Sequence, residues 1–333
     1  MKIRIAINGF GRIGRNLFRL LLNHPTIEVV AINDIADTKT MAHLLKYDSI
    51  HGVLPNIVKA DDKGILVDDN HYLFFHEKNI ANLDWKSLNL DYVIESTGKY
   101  KTFDDINAHI LAGAKKVILS APAEVENIKT VVLGVNEHIL DGTETIISNA
   151  SCTTNNAAPM IKVINELCGI EQAYITTIHS YTTDQSLHDQ PHRDLRRARG
   201  ASQSIVPTTT GAAKALTKIF PDLDHKLGGC GIRVPVPDGS LTDITFNVKR
   251  TVTIEEINAA FEKAAQTNLK GILDYTEDPI VSVDILGNPN SCLFDAQLTS
   301  VIDKMVKVVG WYDNEIGYSS RIIDLILFTS KEV

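Results

Sequence analysis

Cys152 stands in the run Ser148-Asn149-Ala150-Ser151-Cys152-Thr153-Thr154-Asn155, with hydroxyl and amide side chains on both sides of a thiol, just ahead of a helical pattern over 160–167. A thiol at a helix N-terminus feels the positive end of the dipole, which lowers its pKa, and the N–H groups there can hold an oxyanion. Cys168, ending an apolar helix, and Cys292, in a strand pattern, read as packing residues. A thiolate nucleophile needs a partner that exchanges protons near neutral pH, and eleven histidines are available. Most lie in ordinary surroundings, but His179 sits in the polar strand Thr176-Thr177-Ile178-His179-Ser180-Tyr181-Thr182 that follows the Cys152 helix. An αβ return could bring the imidazole back to the thiol; spacing alone leaves that contact open.

A second group is built for an anion. The first strand ends in Asn8-Gly9-Phe10-Gly11-Arg12-Ile13-Gly14, a G-x-G-x-x-G between a strand and a helix. Gly9 permits the turn, Gly11 lets the main chain approach a pyrophosphate, and Gly14 lets helix and strand pack closely. The N–H groups of Arg12 and Ile13 at the helix start face the phosphates. Asp34, 20 residues beyond Gly14 at the end of the next strand, stands where an acid meets ribose hydroxyls and repels a 2′-phosphate, which favours NAD over NADP. No arginine occurs between Arg19 and Arg193, and then Arg193, Arg196, Arg197 and Arg199 arrive together, followed by Thr208-Thr209-Thr210-Gly211 and by Arg233. Hydroxyls, a glycine N–H and guanidinium forks are the inventory for holding a phosphate.

These groups need elements to carry them. Strand-like runs at 3–8, 29–33, 92–95, 117–120, 131–134 and 146–148 alternate with helical spacing at 16–22, 41–45 and 106–112, the pattern of a doubly wound parallel sheet, with one hairpin over 64–75. After about residue 170 the strands lengthen: 173–182, 231–235, 241–250, 280–286 and 305–311, with one helix over 254–265 opened by Thr253 and Glu256 as a capping box. The second part therefore reads as α+β, and an amphipathic segment over 318–328 closes the chain. A length of 333 residues suits two domains. The 33 basic and 41 acidic side chains leave a net charge of −8, which offers no general field for nucleic acid or an anionic membrane. Four cysteines separated by 16, 62 and 62 positions make neither a zinc knuckle nor a disulfide framework, so no metal is expected and a reducing, cytoplasmic setting is. The start of the chain lacks a signal-peptide pattern, and the longest charge-free stretch, over 145–161, is too polar to cross a membrane.

With these residues placed, the sequence resembles the phosphorylating glyceraldehyde-3-phosphate dehydrogenase family over essentially its whole length. The matches include Ile7 to Arg15, Glu95-Ser96-Thr97-Gly98, Ser148 to Asn155, His179 to Thr182, Asp194 to Arg199, Pro207 to Lys214 and Trp311-Tyr312-Asp313-Asn314-Glu315. The resemblance implies a Rossmann-type doubly wound parallel sheet over 1–151, rejoined by a C-terminal helix over 315–333, and an α+β catalytic domain with a mostly antiparallel sheet over 152–314. It implies that Cys152 and His179, 27 positions apart, form the catalytic pair that converts glyceraldehyde 3-phosphate, NAD and inorganic phosphate to 1,3-bisphosphoglycerate through a thiohemiacetal and a thioester. Thr182, Asp184 and Arg233 match the substrate-phosphate site, and Ser151, Thr153, Thr210 and Gly211 the attacking-phosphate site. Asn314 matches the residue holding the nicotinamide carboxamide, with Tyr318 beside it, and Thr97 and Ser120 match positions along the cofactor. A homotetramer is implied as well.

Asn156 stands where many relatives carry a second cysteine, Thr183 replaces a common Asn, and Gln190-Pro191 stands where NAD-preferring members have Leu-Pro, so use of NADP stays open. The competing readings are an erythrose-4-phosphate dehydrogenase with water as acyl acceptor, a non-catalytic NAD-binding module, and a cysteine acyltransferase or hydrolase without NAD.

Overall fold

The computed structural model describes residues 2–331, which divide into two compact units. One holds the residues up to Val131, His138–Ala150 and those from Ser319 on; the other holds Val132–Glu137 and Ser151–Tyr318.

The first unit opens with β1 (Ile3–Asn8), α1 (Arg12–Leu21), β2 (Ile27–Asn33) and α2 (Thr38–Lys46). A short ribbon, β3 (Tyr47–Asp48) with β4 (Gly52–Val53), leads to β5 (Val58–Ala60), β6 (Gly64–Val67) and β7 (Asn70–Phe75). Then come α3 (Trp85–Leu88), β8 (Tyr92–Glu95), α4 (Phe103–Leu111), β9 (Lys116–Leu119), β10 (Lys129–Thr130) and β11 (Ile146–Ser148). The sheet order is β10-β11-β9-β8-β1-β2-β7-β6-β5, parallel from β10 to β7 and antiparallel only at the β6 and β5 edge. Ile5, Ala6 and Ile7 are fully buried in succession, as a strand covered on both faces requires. Leu17, Phe18 and Leu21 form the buried face of α1. Because β1 lies between β2 and β8, successive crossovers leave it in opposite directions, and a crevice opens at the carboxyl ends of β1 and β8.

The strand expected over 131–134 does not form: β10 stops at Thr130. Asn136 Oδ1 accepts the Val132 N–H at 2.7 Å, taking the donor a ladder would use, and Gly134 turns the chain at φ +78°.

In the second unit α5 (Cys152–Cys168) is followed by β12 (Ile170–Ser180), β13 (Val206–Thr208), α6 (Ala212–Ile219), β14 (Leu227–Val234), β15 (Ser240–Val248) and α7 (Ile254–Gln266). The remaining strands are β16 (Leu273–Thr276), β17 (Cys292–Asp295), β18 (Ser300–Ile302) and β19 (Met305–Tyr312), and α8 (Ile316–Thr329) is the last element among the described residues. The sheet order is β13-β14-β12-β15-β19-β17-β16, with β18 on β19. Its pairings are mostly antiparallel, but β12 with β14 and β16 with β17 are parallel. Strict alternation of buried and half-buried residues along β15 gives the sheet one covered face. Ile244, Phe246, Val306 and Val308 line that face with Met160, Ile161 and Ile164 of α5, all fully buried, each side chain worth about 1.5–3 kcal/mol of burial. Phe261 of α7 stacks on Phe294 at 3.8 Å between ring centroids. The expected capping box is present: Thr253 Oγ1 accepts Glu256 N at 3.2 Å, and Glu256 Oε2 accepts Thr253 N at 2.8 Å.

Two local expectations fail here. Residues 280–286 form a 3₁₀ turn over Ser282–Ile285 instead of a strand, because Asp284 Oδ2 accepts Val281 N at 2.8 Å and only Ile285 of the apolar residues there has a core to enter. The charge-free stretch after Gly200 runs into α6, which the sequence reading did not place.

Candidate active site

In the first unit β1 delivers the chain to the crevice at Asn8. Gly9 turns it at φ +95°, and a Cβ there would fall 2.6 Å from Thr97 N. A Cβ on Gly14 would fall 2.2 Å from Gly9 O, whereas the corresponding position on Gly11 meets no heavy atom within 4 Å. The turn is thus closed where strand and helix meet and open at the N-terminus of α1, which carries no side-chain cap. That is where N–H groups of Arg12 and Ile13 can receive a phosphate. The Arg12 guanidinium itself turns away to Asp48, at 2.5 and 3.2 Å. Burial alone would raise the Asp48 carboxyl, but the bonds from Arg12 and from the N–H groups of His51 and Ile50 outweigh it and hold it well below the usual carboxylate range.

Asp34 braces the same turn: Oδ2 accepts Phe10 N at 2.7 Å and Oδ1 accepts Ala36 N at 3.0 Å. With Gly9, Gly11, Thr97, Lys78 and Tyr100 it lines a cavity of about 220 Å³. A dinucleotide fits this donor set: open backbone at Gly11 for a pyrophosphate and an acid beside the cavity for a diol. Thr97 gives both its N–H, at 2.9 Å, and its hydroxyl hydrogen to Glu95 Oε1, so its oxygen can only accept. Ser120, half-buried just after β9, is tied by its N–H to Glu95 O at 2.9 Å.

In the second unit Ser151 is the N-cap of α5, its Oγ accepting Thr154 N at 3.1 Å, and Cys152 is the first helical residue. Cys152 Sγ lies 3.5 Å from His179 Nε2. The strand register explains what surrounds the imidazole, since His179 of β12 pairs directly with Arg233 of β14. His179 Nδ1 lies 2.7 Å from the Ser180 carbonyl and 2.7 Å from Arg233 Nη1, which also donates to that carbonyl at 2.9 Å. The Tyr312 ring stands edge-on to the imidazole at 5.9 Å, and its hydroxyl bonds Thr153 Oγ1 and Thr177 Oγ1 at 2.9 Å each. Thr153, named for a phosphate, therefore has its hydroxyl engaged beside the helix start. Asn314 Oδ1 accepts from Ser180 Oγ at 2.8 Å and Ser240 Oγ at 2.7 Å, which aims the amide nitrogen at other partners. Tyr318, at the start of α8, is buried.

Burial pushes the Cys152 thiol up, and the Arg233 charge draws it back down. Burial, then the same guanidinium, lowers the His179 imidazole to about 3. Ionising either group alone is therefore costly. Passing one proton from Sγ to Nε2 would leave the pair's net charge unchanged.

Arg197 fastens the remaining anion residues. It donates to Asp184 through Nη1, to Thr208 Oγ1 through Nε at 2.9 Å, and to Thr209 O at 3.4 Å. Asp184, matched through the resemblance to the substrate-phosphate site, is the acid that receives this guanidinium. Arg197 also bears electrostatically on Arg233. Two guanidiniums held against each other's repulsion make a site that an anion relieves. Thr210 Oγ1 accepts Ala212 N at 3.2 Å and Gly211 is the N-cap of α6, so both sit at a helix N-terminus. Thr182, half-buried beyond β12, accepts Gln185 N on its carbonyl at 2.9 Å. In the sequence Arg197 stands out only as one of the arginine cluster and Tyr312 only within the run Trp311 to Glu315, neither with a role of its own.

Residues 3–103 match the family model described as glyceraldehyde 3-phosphate dehydrogenase, NAD binding domain, and residues 151–314 the model of its C-terminal domain. Glyceraldehyde-3-phosphate dehydrogenase 2 of Streptomyces avermitilis is 54% identical over 336 residues, covering all of both chains. Glyceraldehyde-3-phosphate dehydrogenase of Geobacillus stearothermophilus is 51% identical over 334 residues, covering all of this chain and 99% of its own. Glyceraldehyde-3-phosphate dehydrogenase 1 of Bacillus subtilis is 49% identical with the same coverage.

Proposed function

Since the chain belongs to the glyceraldehyde-3-phosphate dehydrogenase family, we propose that it oxidises glyceraldehyde 3-phosphate with NAD and inorganic phosphate to 1,3-bisphosphoglycerate, the step shared by glycolysis and gluconeogenesis. The observation that carries this reading is Cys152 Sγ at 3.5 Å from His179 Nε2, on a helix N-terminus and beside Arg233.

Cys152 gives its proton to His179 as sulfur bonds the aldehyde carbon, and the resulting oxyanion is held by the Cys152 N–H and the imidazolium. The substrate phosphate draws on Thr182, Asp184 and Arg233, with Asp184 also paired to Arg197. Neutralising Arg233 also removes a charge that holds the imidazole acidic, so substrate binding makes His179 a better base. The imidazolium returns its proton to the oxyanion, giving the thiohemiacetal hydroxyl, and neutral His179 then removes the hydroxyl proton while the carbon loses hydride, leaving a thioester on Cys152. Bound NAD supplies the hydride acceptor. Inorganic phosphate, held by Ser151, Thr153, Thr210 and Gly211, attacks the thioester carbon; the C–S bond breaks, and Cys152 returns as thiolate. The cofactor is held by residues 1–151 and 315–333, through Gly9, Gly11, Arg12, Ile13, Gly14, Asp34, Thr97 and Ser120, with Asn314 and Tyr318 at the nicotinamide; the chemistry belongs to 152–314.

A homotetramer in the cytoplasm completes the reading. Exposed Leu187, Leu195 and Ile205 support the assembly, and no helix among the described residues is long and apolar enough to cross a membrane. Light scattering after size exclusion tests the assembly. For the chemistry, mixing the protein with NAD and glyceraldehyde 3-phosphate in phosphate-free buffer should give a burst of one NADH per chain and a glyceroyl adduct on the Cys152 peptide. An adduct on another cysteine, or none, overturns the assignment.

A further inference from the structure

Beneath the dinucleotide crevice lies a line of polar side chains that none of the steps above uses. Glu95, the last residue of β8, is 1% exposed. Its Oε1 takes the Thr97 N–H at 2.9 Å and the Thr97 hydroxyl, and its Oε2 takes Asn8 Nδ2 at 2.5 Å and His109 Nε2 at 3.1 Å. His109, on α4, is fully buried, and its Nδ1 accepts the Trp85 indole N–H at 3.0 Å. An indole nitrogen only donates, so Nδ1 is the acceptor of the ring and Nε2 carries the hydrogen that points at Glu95. The sense of every bond in the line is therefore set, from indole to imidazole to carboxyl. The neighbourhood is otherwise apolar, with Val93, Ile106 and Val117 fully buried around it. A core meant only to pack has no use for such a line, since buried polar groups are costly unless every member is satisfied.

The line ends on the backbone that shapes the cofactor cavity. Ser96 Oγ donates to Gly9 O at 2.7 Å and Asn8 O at 3.1 Å, so the Ser96–Thr97 turn and the Gly9 turn move together. Asn8 Oδ1 accepts Asn33 Nδ2 at 2.7 Å, and Asn33 Oδ1 accepts Glu77 N at 2.9 Å, which extends the network to the end of β2 beside Asp34. Asn8, Asn33, Glu77 and Thr97 all line the cavity of about 220 Å³.

We propose that Trp85, His109 and Glu95 form a buried positioning relay that holds the turns at Asn8–Gly9 and Ser96–Thr97 in register for the dinucleotide. The relay touches neither cofactor nor substrate. It acts by preorganisation: the carboxyl of Glu95 fixes two turns at once, His109 fixes the carboxyl, and Trp85 fixes the imidazole. A loosened turn must be ordered when NAD binds, so the relay acts on cofactor affinity and leaves the rate of the Cys152 chemistry alone. This rests on the reading of the cavity as the NAD site.

His109→Gln can keep the line, since its amide oxygen can accept from Trp85 and its nitrogen donate to Glu95; His109→Leu keeps neither bond. The relay predicts that His109→Leu weakens NAD binding about tenfold by isothermal titration and raises the KM for NAD alike. It also predicts kcat at saturating NAD and the KM for the aldehyde within about twofold of wild type, and His109→Gln recovering most of the NAD affinity. His109→Leu that only lowers the unfolding midpoint while binding NAD normally overturns the relay, as does His109→Gln faring no better than His109→Leu. Should His109→Leu fail to fold, Trp85→Phe keeps a ring and removes the donor; about a threefold loss of NAD affinity supports the relay, and unchanged affinity overturns it. A wild-type chain that binds no NAD overturns the reading of the cavity instead, so the two failures are distinguishable.

Discussion

Asp34→Ala separates two duties that one carboxylate performs. In the folded chain it accepts Phe10 N at 2.7 Å and Ala36 N at 3.0 Å, bracing the glycine turn. Asp34 is half-buried, so water replaces part of each bond, and about 1 kcal/mol each is reasonable, about 2 kcal/mol in all. For a unit of this size that lowers the unfolding midpoint by roughly 4–8 °C. The second, proposed duty is toward the ribose diol of bound NAD, where charged hydrogen bonds contribute about 1.5–3 kcal/mol, or roughly 10- to 150-fold in affinity. Removing the acid also removes its repulsion of a 2′-phosphate, so the NADP-to-NAD ratio of kcat/KM should rise by more than the loss for NAD alone. Calorimetry gives the midpoint, titration gives the NAD affinity, and initial rates with both cofactors give the ratio. A lowered midpoint with the ratio unchanged would show that Asp34 only braces the turn, and the specificity reasoning would fail.

Iodoacetamide at neutral pH should label Cys152, half-buried and 3.5 Å from the proton acceptor His179 Nε2, well ahead of the buried Cys168 and Cys292; equal rates would remove the activated pair. Asp48→Asn should cost about 2 kcal/mol at pH 7 by removing the acceptor of Arg12. The folded Asp48 carboxyl lies well below its unfolded value near 3.9, so its contribution is complete above that pH and fades as the pH falls; the stability gap between variant and wild type should narrow as the pH drops below about 4. A gap as wide at pH 2 as at pH 7 contradicts this. Tyr312→Phe keeps the ring against His179 and removes the hydroxyl between Thr153 and Thr177, at about 1–2 kcal/mol of stability by urea denaturation; an unchanged midpoint would mean that the two bonds contribute nothing.

Local rules read much of this molecule from sequence because those rules are what set it. The glycine turn is fixed by φ at Gly9 and by contacts a Cβ could not make, and the capping box at Thr253 is complete within one turn. The segment 280–286 went the other way: its β-branched residues favour a strand, but the Asp284 side chain closes a turn and leaves Val281 and Val283 at the surface. The strand at 131–134 fell to the same kind of competition from Asn136. What sequence could not show is long-range. Tyr312 meets Thr153 across 159 positions, and Glu95 meets Asn8 across 87, so no window contains both partners. The tie of Asp184 to Arg197 likewise follows a fold that brings residues 184, 197 and 208 together.

The central claim is that the acyl group held on Cys152 is passed to inorganic phosphate. Initial rates of NADH formation from glyceraldehyde 3-phosphate, measured across a phosphate series that begins at zero, test it most directly. The account predicts a single burst without phosphate and steady turnover that rises and saturates as phosphate is added. Steady turnover indifferent to phosphate would show water to be the acceptor and would contradict it.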